Sequence, residues 1–419
     1  MAGKKALMHD TTALAPSTVA DYTPADNPRF VRLHRRFPTV NYLRRHARRH
    51  VPRFAFEYLD GGAGADGGIA RNWQALDGVE LVPRYGVTTV LPPVGVELFG
   101  KRYAAPFGVA PMGGPSIVWP GADGYLAAAA QRARVPYTLG LVGGMTVERA
   151  AEIAPDVLWF QLYRCARNGH AIGFDLVRRA DIAGVHVLVL TVDVPVRTTR
   201  SREVVAGITS PFRPDLRMVC AVLASPGYLR SLWRHGQPRF GNLKPYAPTA
   251  ADANGVAGFV REEMRGAFTW DEIARYRERW RRPLVVKGIL HPEDAEKCVA
   301  LGVDGIVVSN HGGRQVEGLP ASIDVLPAIS CAVGGRAVVM LDSGIRSGLD
   351  VVRALVLGAD AVLAGKAFLW GLGALGPEGP GHVIDLLIDE TKAVLGQVGA
   401  RCPAEARSVL ARHPGALRF

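Results

Sequence analysis

The sequence predicts an α/β fold: a (β/α)8 TIM barrel with an N-terminal helical extension and a long excursion after strand 4. Eight short, continuous apolar runs follow one another from about residue 105, as expected of strands buried on both faces. Segments with helical periodicity lie between most of these runs, which favours a parallel sheet closed into a barrel. A doubly wound sheet would need a glycine-rich phosphate motif after its first strand, and no G-x-G-x-x-G occurs there.

The eight predicted strands are rich in β-branched and aliphatic residues and cover 106–111, 136–141, 158–163, 185–193, 283–288, 305–310, 337–342 and 361–366. The segments between them that have helical periodicity are 121–133, 146–154, 174–184, 291–302 and 347–360. Each strand would carry its polar residues just after its apolar run, at the end of a barrel where chemistry takes place.

One connection is much longer than an ordinary loop between a strand and a helix. About 90 residues separate Asp193, after the fourth strand, from Lys287, in the fifth. We expect an insert at about 201–265 that forms a lid or an attachment site. Its middle, 218–246, mixes apolar and basic residues. Membrane docking and a plain packed insertion both agree with that composition.

The region before the barrel divides into two parts. Residues 1–28 lack periodicity and predict a flexible tail, and residues 29–104 predict a helical segment that packs on a barrel formed by 105–419. Residues 29–53 contain nine arginines and, before Glu57, no acidic side chain. A solvated helix face explains this charge, and so does contact with anionic lipid or with a partner.

Composition narrows the class of protein. The 419 residues carry a net charge of +12, with 48% hydrophobic residues, which excludes global disorder and favours an anionic substrate, cofactor or surface. Five cysteines without a C-x-x-C pair predict neither a disulfide framework nor a metal site, and favour a reducing compartment. The sequence shows no signal peptide, transmembrane segment or nucleic-acid-binding motif, so we expect a cytoplasmic protein, with attachment to the inner face of a membrane left open.

The polar residues at the predicted strand ends suggest a chemistry. Glycines and cations after strands 7 and 8 are typical of a phosphate site, whereas two arginines after strands 4 and 6 would clamp a carboxylate. A histidine and an aspartate between them match a general base with its orienting partner. Together they predict proton abstraction from a carboxylate-bearing substrate beside a phosphate-anchored cofactor. The residues are Asp193, Arg200, His311, Arg314, Gly344, Arg346, Gly365 and Lys366.

A set of motifs in this chain resembles the FMN-dependent family that oxidises 2-hydroxy acids, which includes glycolate oxidase, lactate oxidase and mandelate dehydrogenase. The motifs stand in family order and span roughly residues 35–410. They are FEYLDGGA (56–63), APMG (110–113), FQLY (160–163), LTVD (190–193), VVKG (285–288), SNHGGRQ (309–315) and LDSGIRSGLDVVRALVLGADAVLAGK (341–366).

The resemblance implies roles for individual residues. His311 matches the catalytic base and Asp193 its partner, while Arg200 and Arg314 match the ligands of the substrate carboxylate. The tyrosine in FEYLDGGA, Tyr58, matches a second carboxylate ligand. Two further residues match groups at the reacting centre: Tyr163 beside the substrate hydroxyl, and Lys287 beside the flavin N1/O2 edge.

The resemblance also implies FMN as the cofactor. Residues matching contacts to the flavin ring are Pro111, Met112, Gly113, Gln161, Thr191 and Ser309, and those matching contacts to the ribityl chain and phosphate are Asp342, Gly344, Arg346, Gly365 and Lys366. Three positions differ from the common family pattern. Lys366 replaces an arginine, Gly140 a serine that often contacts the flavin, and Val142 an aromatic side chain found in some members.

The predicted reaction is oxidation of an L-2-hydroxy acid, lactate-like or mandelate-like, to the 2-oxo acid, with electrons passed to a quinone or another carrier. Alternatives are an oxidase that uses oxygen and makes hydrogen peroxide, a barrel flavoprotein or phosphate-binding barrel of different chemistry, and a non-catalytic basic protein that binds surfaces. Whether the α-hydrogen leaves as hydride or proton stays open. The resemblance further implies a homo-oligomer, a tetramer in this family.

Overall fold

The computed structural model describes residues 23–87, 90–196, 198–208, 213–248 and 252–419. Within these ranges twelve strands, β1 to β12 in chain order, are Glu80–Val82, Val96–Leu98, Lys101–Tyr103, Phe107–Val109, Tyr137–Gly140, Leu158–Leu162, Val187–Thr191, Leu284–Ile289, Gly305–Val308, Val338–Leu341, Ala361–Ala364 and Leu410–Arg412.

The α-helices of the same ranges, α1 to α18 in chain order, are Pro28–His34, Val40–His50, Arg53–Asp60, Gly67–Asp77, Pro115–Val118, Ala122–Ala133, Val147–Ile153, Arg167–Ile182, Ser201–Val205, Leu216–Leu223, Pro226–His235, Ala253–Glu263, Trp270–Arg279, Pro292–Ala300, Ser322–Val333, Gly348–Val356, Lys366–Leu375 and Gly379–Val398.

Eight parallel strands, β4 to β11, close into a barrel in chain order, with β11 pairing back onto β4. This confirms the predicted barrel, and each of the eight apolar runs coincides with one of its strands, although β8 extends one residue beyond its run. The strands are buried along nearly their whole length because helices cover the outer face and side chains fill the interior. The register pairs Thr191 of β7 with Lys287 of β8, which brings two predicted site residues to one level of the rim.

Side chains at several helix starts explain where the barrel helices begin. Thr269 and Glu272 form a reciprocal capping box at α13, and Ser347 accepts a hydrogen bond from Asp350 N at the start of α16. These contacts satisfy backbone N–H groups that the first helical turn leaves unpaired. Defined helix starts hold the preceding loops, and with them the residues at the strand ends, in place.

The segment before the barrel is helical but also contains three short strands. Strands β2 and β3 form a hairpin that closes the N-terminal mouth of the barrel, where Trp159 Nε1 donates to the Tyr103 hydroxyl at 3.0 Å. Strand β1 pairs with β12 near the C-terminus. The predicted tail lies outside the described residues as far as residue 22, and from there a 3-10 turn at Pro24–Asp26 leads into α1.

The excursion after β7 contains helices α9 to α12, and positions 209–212 and 249–251 of the predicted insert lie outside the described residues. Helix α11 is anchored to the barrel rim by two side chains: the Tyr228 hydroxyl donates to Ile117 O and Ser231 Oγ to Pro120 O. The opposite sides of α10 and α11 expose apolar and basic side chains. They are Leu216, Arg217, Val219, Leu223, Leu229, Arg230, Trp233 and Arg234.

Across the described ranges, none of the helices is both long enough and apolar enough to cross a membrane.

Candidate active site

A pocket opens at the carboxyl ends of the barrel strands, where α3, α4 and α17 cover it. This end of a (β/α)8 barrel is where cofactors and substrates bind. Thirteen of the predicted site residues line it: Tyr58, Pro111, Met112, Gly113, Tyr163, Lys287, His311, Arg314, Asp342, Gly344, Arg346, Gly365 and Lys366. The other five, Gln161, Thr191, Asp193, Arg200 and Ser309, contact residues at the pocket wall or each other.

His311 and Asp193 form a hydrogen-bonded pair at the ends of β9 and β7. His311 Nδ1 lies 2.9 Å from Asp193 Oδ1, and both side chains are largely buried. Burial raises the pKa of Asp193, but the charges of His311 and Lys287 outweigh it and hold that pKa below its usual value. The carboxylate therefore stays ionised and fixes the proton of the imidazole on Nδ1, leaving Nε2 to face the pocket.

Backbone conformations at two places allow His311 and Asp193 to come within hydrogen-bonding distance. His311 has φ +59°, an uncommon conformation for a non-glycine residue, and the next residue, Gly312, has φ +68°. Gly288 follows the lysine of β8 with φ +107°, and a Cβ there would lie 2.6 Å from Cβ and Cγ of Asp193. The glycine of VVKG is therefore needed for close approach of the aspartate, a role that the sequence analysis did not assign.

Tyr163 and Lys287 complete this end of the pocket. The Tyr163 hydroxyl lies 3.4 Å from His311 Nε2, and burial together with the Asp193 charge raises the pKa of Tyr163 to about 12. Lys287 Nζ lies 2.9 Å from Asp342 Oδ2 and donates to Ser309 Oγ at 2.7 Å. Burial lowers the pKa of Lys287, yet Asp342 and Asp193 outweigh it and leave that pKa raised. A neutral phenol and a buried cation thus face the pocket at neutral pH.

The two predicted clamp arginines lie together beside α3. Arg314 Nη1 donates to the carbonyl oxygens of Tyr58 and Gly61, and its guanidinium lies 5.3 Å from the centre of the Tyr58 ring. Arg200 Nε donates to Arg314 O at 3.3 Å. Both arginines also bind Glu203, a residue that the sequence analysis did not single out. Its spacing, three residues after Arg200, is the one signal that would have indicated it.

The Tyr58 side chain reaches across to the end of β4, where its hydroxyl donates to Gly113 O at 2.5 Å. At the rim beside Gly113, Gln161 Nε2 donates to Thr191 Oγ1 at 2.9 Å and Gln161 Oε1 accepts from Leu141 N at 3.3 Å. These bonds orient the glutamine amide of β6 along the barrel mouth.

Among the residues predicted to bind phosphate, Gly344 and Arg346 lie beside α4, whereas Lys366 Nζ shares the Gly61 carbonyl oxygen with Arg314 of the clamp. Gly344 has φ +109°, and a Cβ there would lie 2.9 Å from Leu76 Cδ1. Arg346 lies against the Trp73 ring and forms an ion pair with Asp77 at 2.9 Å. Lys366 Nζ donates to the carbonyl oxygens of Asp60 and Gly61, at the C-terminus of α3. Burial, then repulsion from Arg314, holds the pKa of Lys366 well below its usual value.

The pocket fits FMN by the chemistry of its two ends. One end has a buried cation, Lys287, beside a polar rim, which suits the N1/O2 edge of a flavin ring. The other has Gly344, Arg346 and Gly365, which suit a phosphate, while Lys366 lines the same pocket with its Nζ on the carbonyl oxygens of Asp60 and Gly61. Two of the three positions that differ from the common family pattern, Gly140 and Val142, lie close to the loop after β4. A Cβ on Gly140 would lie 2.7 Å from Met112 O, so a serine needs the backbone to shift, and Val142 Cγ2 lies 3.0 Å from where a Cβ on Gly113 would stand.

Comparisons with known proteins identify the family. Residues 47–412 match the family of FMN-dependent dehydrogenases. An L-lactate dehydrogenase of Caulobacter vibrioides (strain NA1000 / CB15N) is 38% identical over 360 residues, which cover 86% of this chain and 93% of that protein. An L-lactate dehydrogenase of Ectopseudomonas mendocina (strain ymp) is 37% identical over 365 residues, which cover 87% of this chain and 96% of that protein.

Solved structures give the same result. The crystal structure of the monotopic membrane protein (S)-mandelate dehydrogenase superposes with a TM-score of 0.84 at 32% identity, covering 90% of this chain and 99% of that one. Mandelate oxidase with (S)-4-hydroxymandelic acid gives 0.77 at 33% identity, covering 91% and 100%. The chain belongs to the FMN-dependent dehydrogenase family, and it is an FMN-dependent 2-hydroxy acid dehydrogenase or oxidase.

Proposed function

We propose that this enzyme oxidises an L-2-hydroxy acid to the 2-oxo acid, with His311 as the base and Asp193 as its partner. The observation that carries the proposal is the His311–Asp193 pair, 2.9 Å apart, beside two arginines at the rim of a pocket that fits FMN. Nε2 of His311 takes a proton from the substrate, and Asp193 stabilises the imidazolium that results.

Arg200 and Arg314 bind the substrate carboxylate in this proposal, and Tyr58 supports them. Arg314 is held against Tyr58 by its contacts to the Tyr58 carbonyl and ring. Tyr163, protonated at neutral pH because its pKa is about 12, donates to the substrate hydroxyl oxygen. Contacts to the carboxylate and to the hydroxyl together place the α-carbon of the substrate over the barrel mouth. The enzyme thereby fixes an orientation that the acid lacks in solution.

FMN, when bound, supplies the two-electron acceptor. Lys287 stabilises negative charge at the ring edge, since its pKa is raised by Asp342 and Asp193 and it stays protonated. Pro111, Met112 and Gly113, which follow β4, would contact the flavin ring together with Gln161, Thr191 and Ser309 at the neighbouring strand ends. Asp342, Gly344, Arg346, Gly365 and Lys366 would hold the ribityl chain and the phosphate, and for Lys366 this requires its Nζ to leave the carbonyl oxygens of Asp60 and Gly61.

Lactate-like and mandelate-like acids are the proposed substrates. The relatives at 37–38% identity are named L-lactate dehydrogenase, whereas the solved structures at 32–33% identity are mandelate dehydrogenase and mandelate oxidase. Val142 at the pocket rim is smaller than the aromatic side chain that some members carry there, which leaves room for a longer or aromatic substituent.

We propose a quinone or another carrier, and not oxygen, as the electron acceptor. The outward sides of α10 and α11 expose Leu216, Leu223 and Trp233 between exposed arginines, a composition suited to the boundary between lipid headgroups and acyl chains. Docking there would put the enzyme peripherally on the inner face of the membrane, next to bilayer quinones.

The test is anaerobic reduction of the FMN-loaded enzyme by a panel of acids. L-Lactate, (S)-mandelate, longer aliphatic L-2-hydroxy acids and the D enantiomers of all of these are mixed with the enzyme, and the flavin absorbance is followed. Bleaching by at least one L-acid, and by none of the D-acids, is expected. The same acids are then assayed with a dye acceptor and in an oxygen electrode. Flavin that no hydroxy acid bleaches would exclude the reaction, and oxygen uptake as fast as dye reduction would exclude the proposed acceptor.

A further inference from the structure

A carboxylate of the enzyme itself lies between the two clamp arginines. Glu203 Oε1 accepts from Arg314 Nη2 at 2.6 Å and from Arg200 Nη1 at 3.2 Å. The side chains of Glu203 and Arg314 are 14% and 15% exposed, so water screens these charges weakly.

Backbone and side-chain contacts both fix Glu203. It lies three residues after Arg200, at the start of the excursion, where Val204 N donates to Arg200 O at the first turn of α9. This spacing places both side chains on the same side of the turn. Arg314 comes from the loop after β9, more than 100 residues away in the chain, so Glu203 joins two separate parts of the rim.

Electrostatics explain why a carboxylate is needed there. Burial lowers the pKa of Arg314, and the positive charge of Arg200 lowers it further, whereas Glu203 acts in the opposite direction. With Glu203 ionised, the three groups carry a net charge of +1 instead of +2. One monocarboxylate then neutralises the clamp, and a second carboxylate on the same ligand is left without a compensating positive charge.

We propose that Glu203 is a positioning residue of the clamp that also sets its selectivity for monocarboxylates over dicarboxylates. It holds the two guanidinium groups side by side, and its charge leaves them with a single positive charge for the substrate. The inference rests on the proposed function, because it takes Arg200 and Arg314 as the carboxylate ligands.

The experiment measures charge selectivity in the FMN-loaded enzyme. Propanoate and malonate have three carbons each but one and two carboxylates. Each is titrated at pH 7.5, and its Kd is read from the perturbation of the flavin absorbance. Glu203→Gln should shift the ratio of the two Kd values toward malonate by about 10-fold or more, because removing a nearby charge favours the dianion over the monoanion. Glu203→Ser removes the same charge and should shift the ratio in the same direction.

Two variants separate charge from structure. Glu203→Asp keeps the charge and should keep the parent ratio within about twofold, even where both Kd values rise. Glu57→Gln is the matched control, since Glu57 binds the neighbouring Arg202 at 2.5 Å and is 22% exposed. It should leave the ratio unchanged. Unchanged ratios in both Glu203→Gln and Glu203→Ser, or equal shifts in Glu203→Asp and Glu203→Gln, would overturn the proposal.

The parent enzyme distinguishes the two levels of inference. If hydroxy acids bleach its flavin but the ratio does not respond to Glu203, only the Glu203 proposal fails. If the parent flavin responds to neither anion and to no hydroxy acid, no carboxylate clamp lies beside the cofactor and the proposed function fails with it.

Discussion

Burial by itself would favour the uncharged forms of Lys287 and Asp193, yet both keep their charges. The charges of Asp342 and Asp193 outweigh the cost of burying Lys287, and the charges of His311 and Lys287 outweigh the cost of burying Asp193. The pKa of Lys287 is raised and that of Asp193 is lowered, so both remain ionised at neutral pH. A pocket with such groups fixed in place needs little reorganisation when charge develops in it.

Removing the proposed base should stop the chemistry and spare the cofactor. We expect His311→Ala to slow anaerobic flavin reduction about 10²–10⁴-fold, the usual cost of losing a general base. FMN should remain bound, because all the residues predicted to hold it, except Ser309, lie on other strands than β9. Stopped-flow absorbance measures the reduction, and the flavin content per chain serves as the control. Near-normal reduction in this variant would contradict the assignment.

In the carboxylate clamp, Arg314→Lys should lower activity more than its conserved charge suggests. Arg314 reaches Tyr58 O, Gly61 O and Glu203 at the same time, and an ammonium group cannot span those three directions while also binding a carboxylate. We expect kcat/KM to fall about 10–100-fold, as for loss of one or two charge-assisted hydrogen bonds.

Arg71→Lys is the matched control for this measurement. Arg71 also donates to loop carbonyl groups, those of Glu317 and Leu319, but it is exposed. Its replacement should change kcat/KM by less than about twofold. Equal effects of the two substitutions would remove Arg314 from the clamp.

At the scale of elements, the C-terminus of α3 joins the N-terminal segment to the barrel. Asp60 accepts from Arg44 of α2 at 2.7 Å, from Trp370 of α17 at 3.2 Å and from Arg202 at 3.1 Å. Burial raises the pKa of Asp60, but Arg44, Lys366 and Arg202 outweigh it and leave that pKa lowered. One carboxylate therefore holds together the helix that carries Tyr58 and the helix that begins at Lys366.

The lowered pKa of Asp60 predicts acid sensitivity. Between its folded and unfolded pKa values the unfolded state binds more protons, so stability is present above pH about 4 and is lost as the pH falls further. Asp60→Asn should lower the free energy of unfolding by about 2 kcal/mol at pH 7, because it removes the ion-pair partner of the half-buried Arg44 and one of the three carboxylates that bind Arg202, and should flatten the decline of stability in acid. Urea unfolding at several pH values measures both effects.

Asp66→Asn is the control for the Asp60 measurement, since Asp66 binds the same Arg202 but is 28% exposed. It should cost about 1 kcal/mol or less and keep the parent's acid slope. An Asp60→Asn protein with the parent's slope below pH 4 would show that other carboxylates control the acid response.

At the scale of the whole molecule, some of the basic side chains behind the net charge of +12 form ion pairs, whereas others are exposed. In α1 to α3, Arg29 and Arg44 form ion pairs with Asp385 and Asp60, whereas most of the other arginines of 29–53 are exposed. Exposed arginines also flank the apolar side chains of α10 and α11. In the proposed docking, two weak contacts of this kind, apolar and electrostatic, would together attach the enzyme to a membrane where one alone would be marginal.

The membrane proposal predicts salt-sensitive sedimentation with acidic liposomes. Changing Leu216, Leu223 and Trp233 to serine together should reduce the bound fraction at low salt about 10-fold or more, because three exposed apolar anchors are lost. Dye-linked activity should not change. The matched control changes three exposed apolar residues elsewhere, Tyr85, Leu91 and Ile182, to serine. A parent enzyme that stays in the supernatant at low salt would leave the excursion as a lid or a contact in the predicted homo-oligomer.

The sequence alone determined the barrel, its eight strands and the FMN-dependent family, because each of these depends on local patterns. Strands buried on both faces must be continuously apolar, and polar residues that directly follow them must reach the same rim. His311 and Asp193 could be paired on that basis, since β7 and β9 bring their ends to one mouth.

Only the tertiary structure decided the contacts between parts of the chain that no repeat or motif relates. Such contacts include Glu203 between the clamp arginines and the hydrogen bonds that Asp60 accepts from other helices. They also include the bonds of Lys366 to the carbonyl groups of Asp60 and Gly61. The physical reason is that a charged side chain on an excursion or an N-terminal helix has no preferred partner in sequence. Its partner is whichever opposite charge or carbonyl group the packing of the helices on the barrel brings within reach.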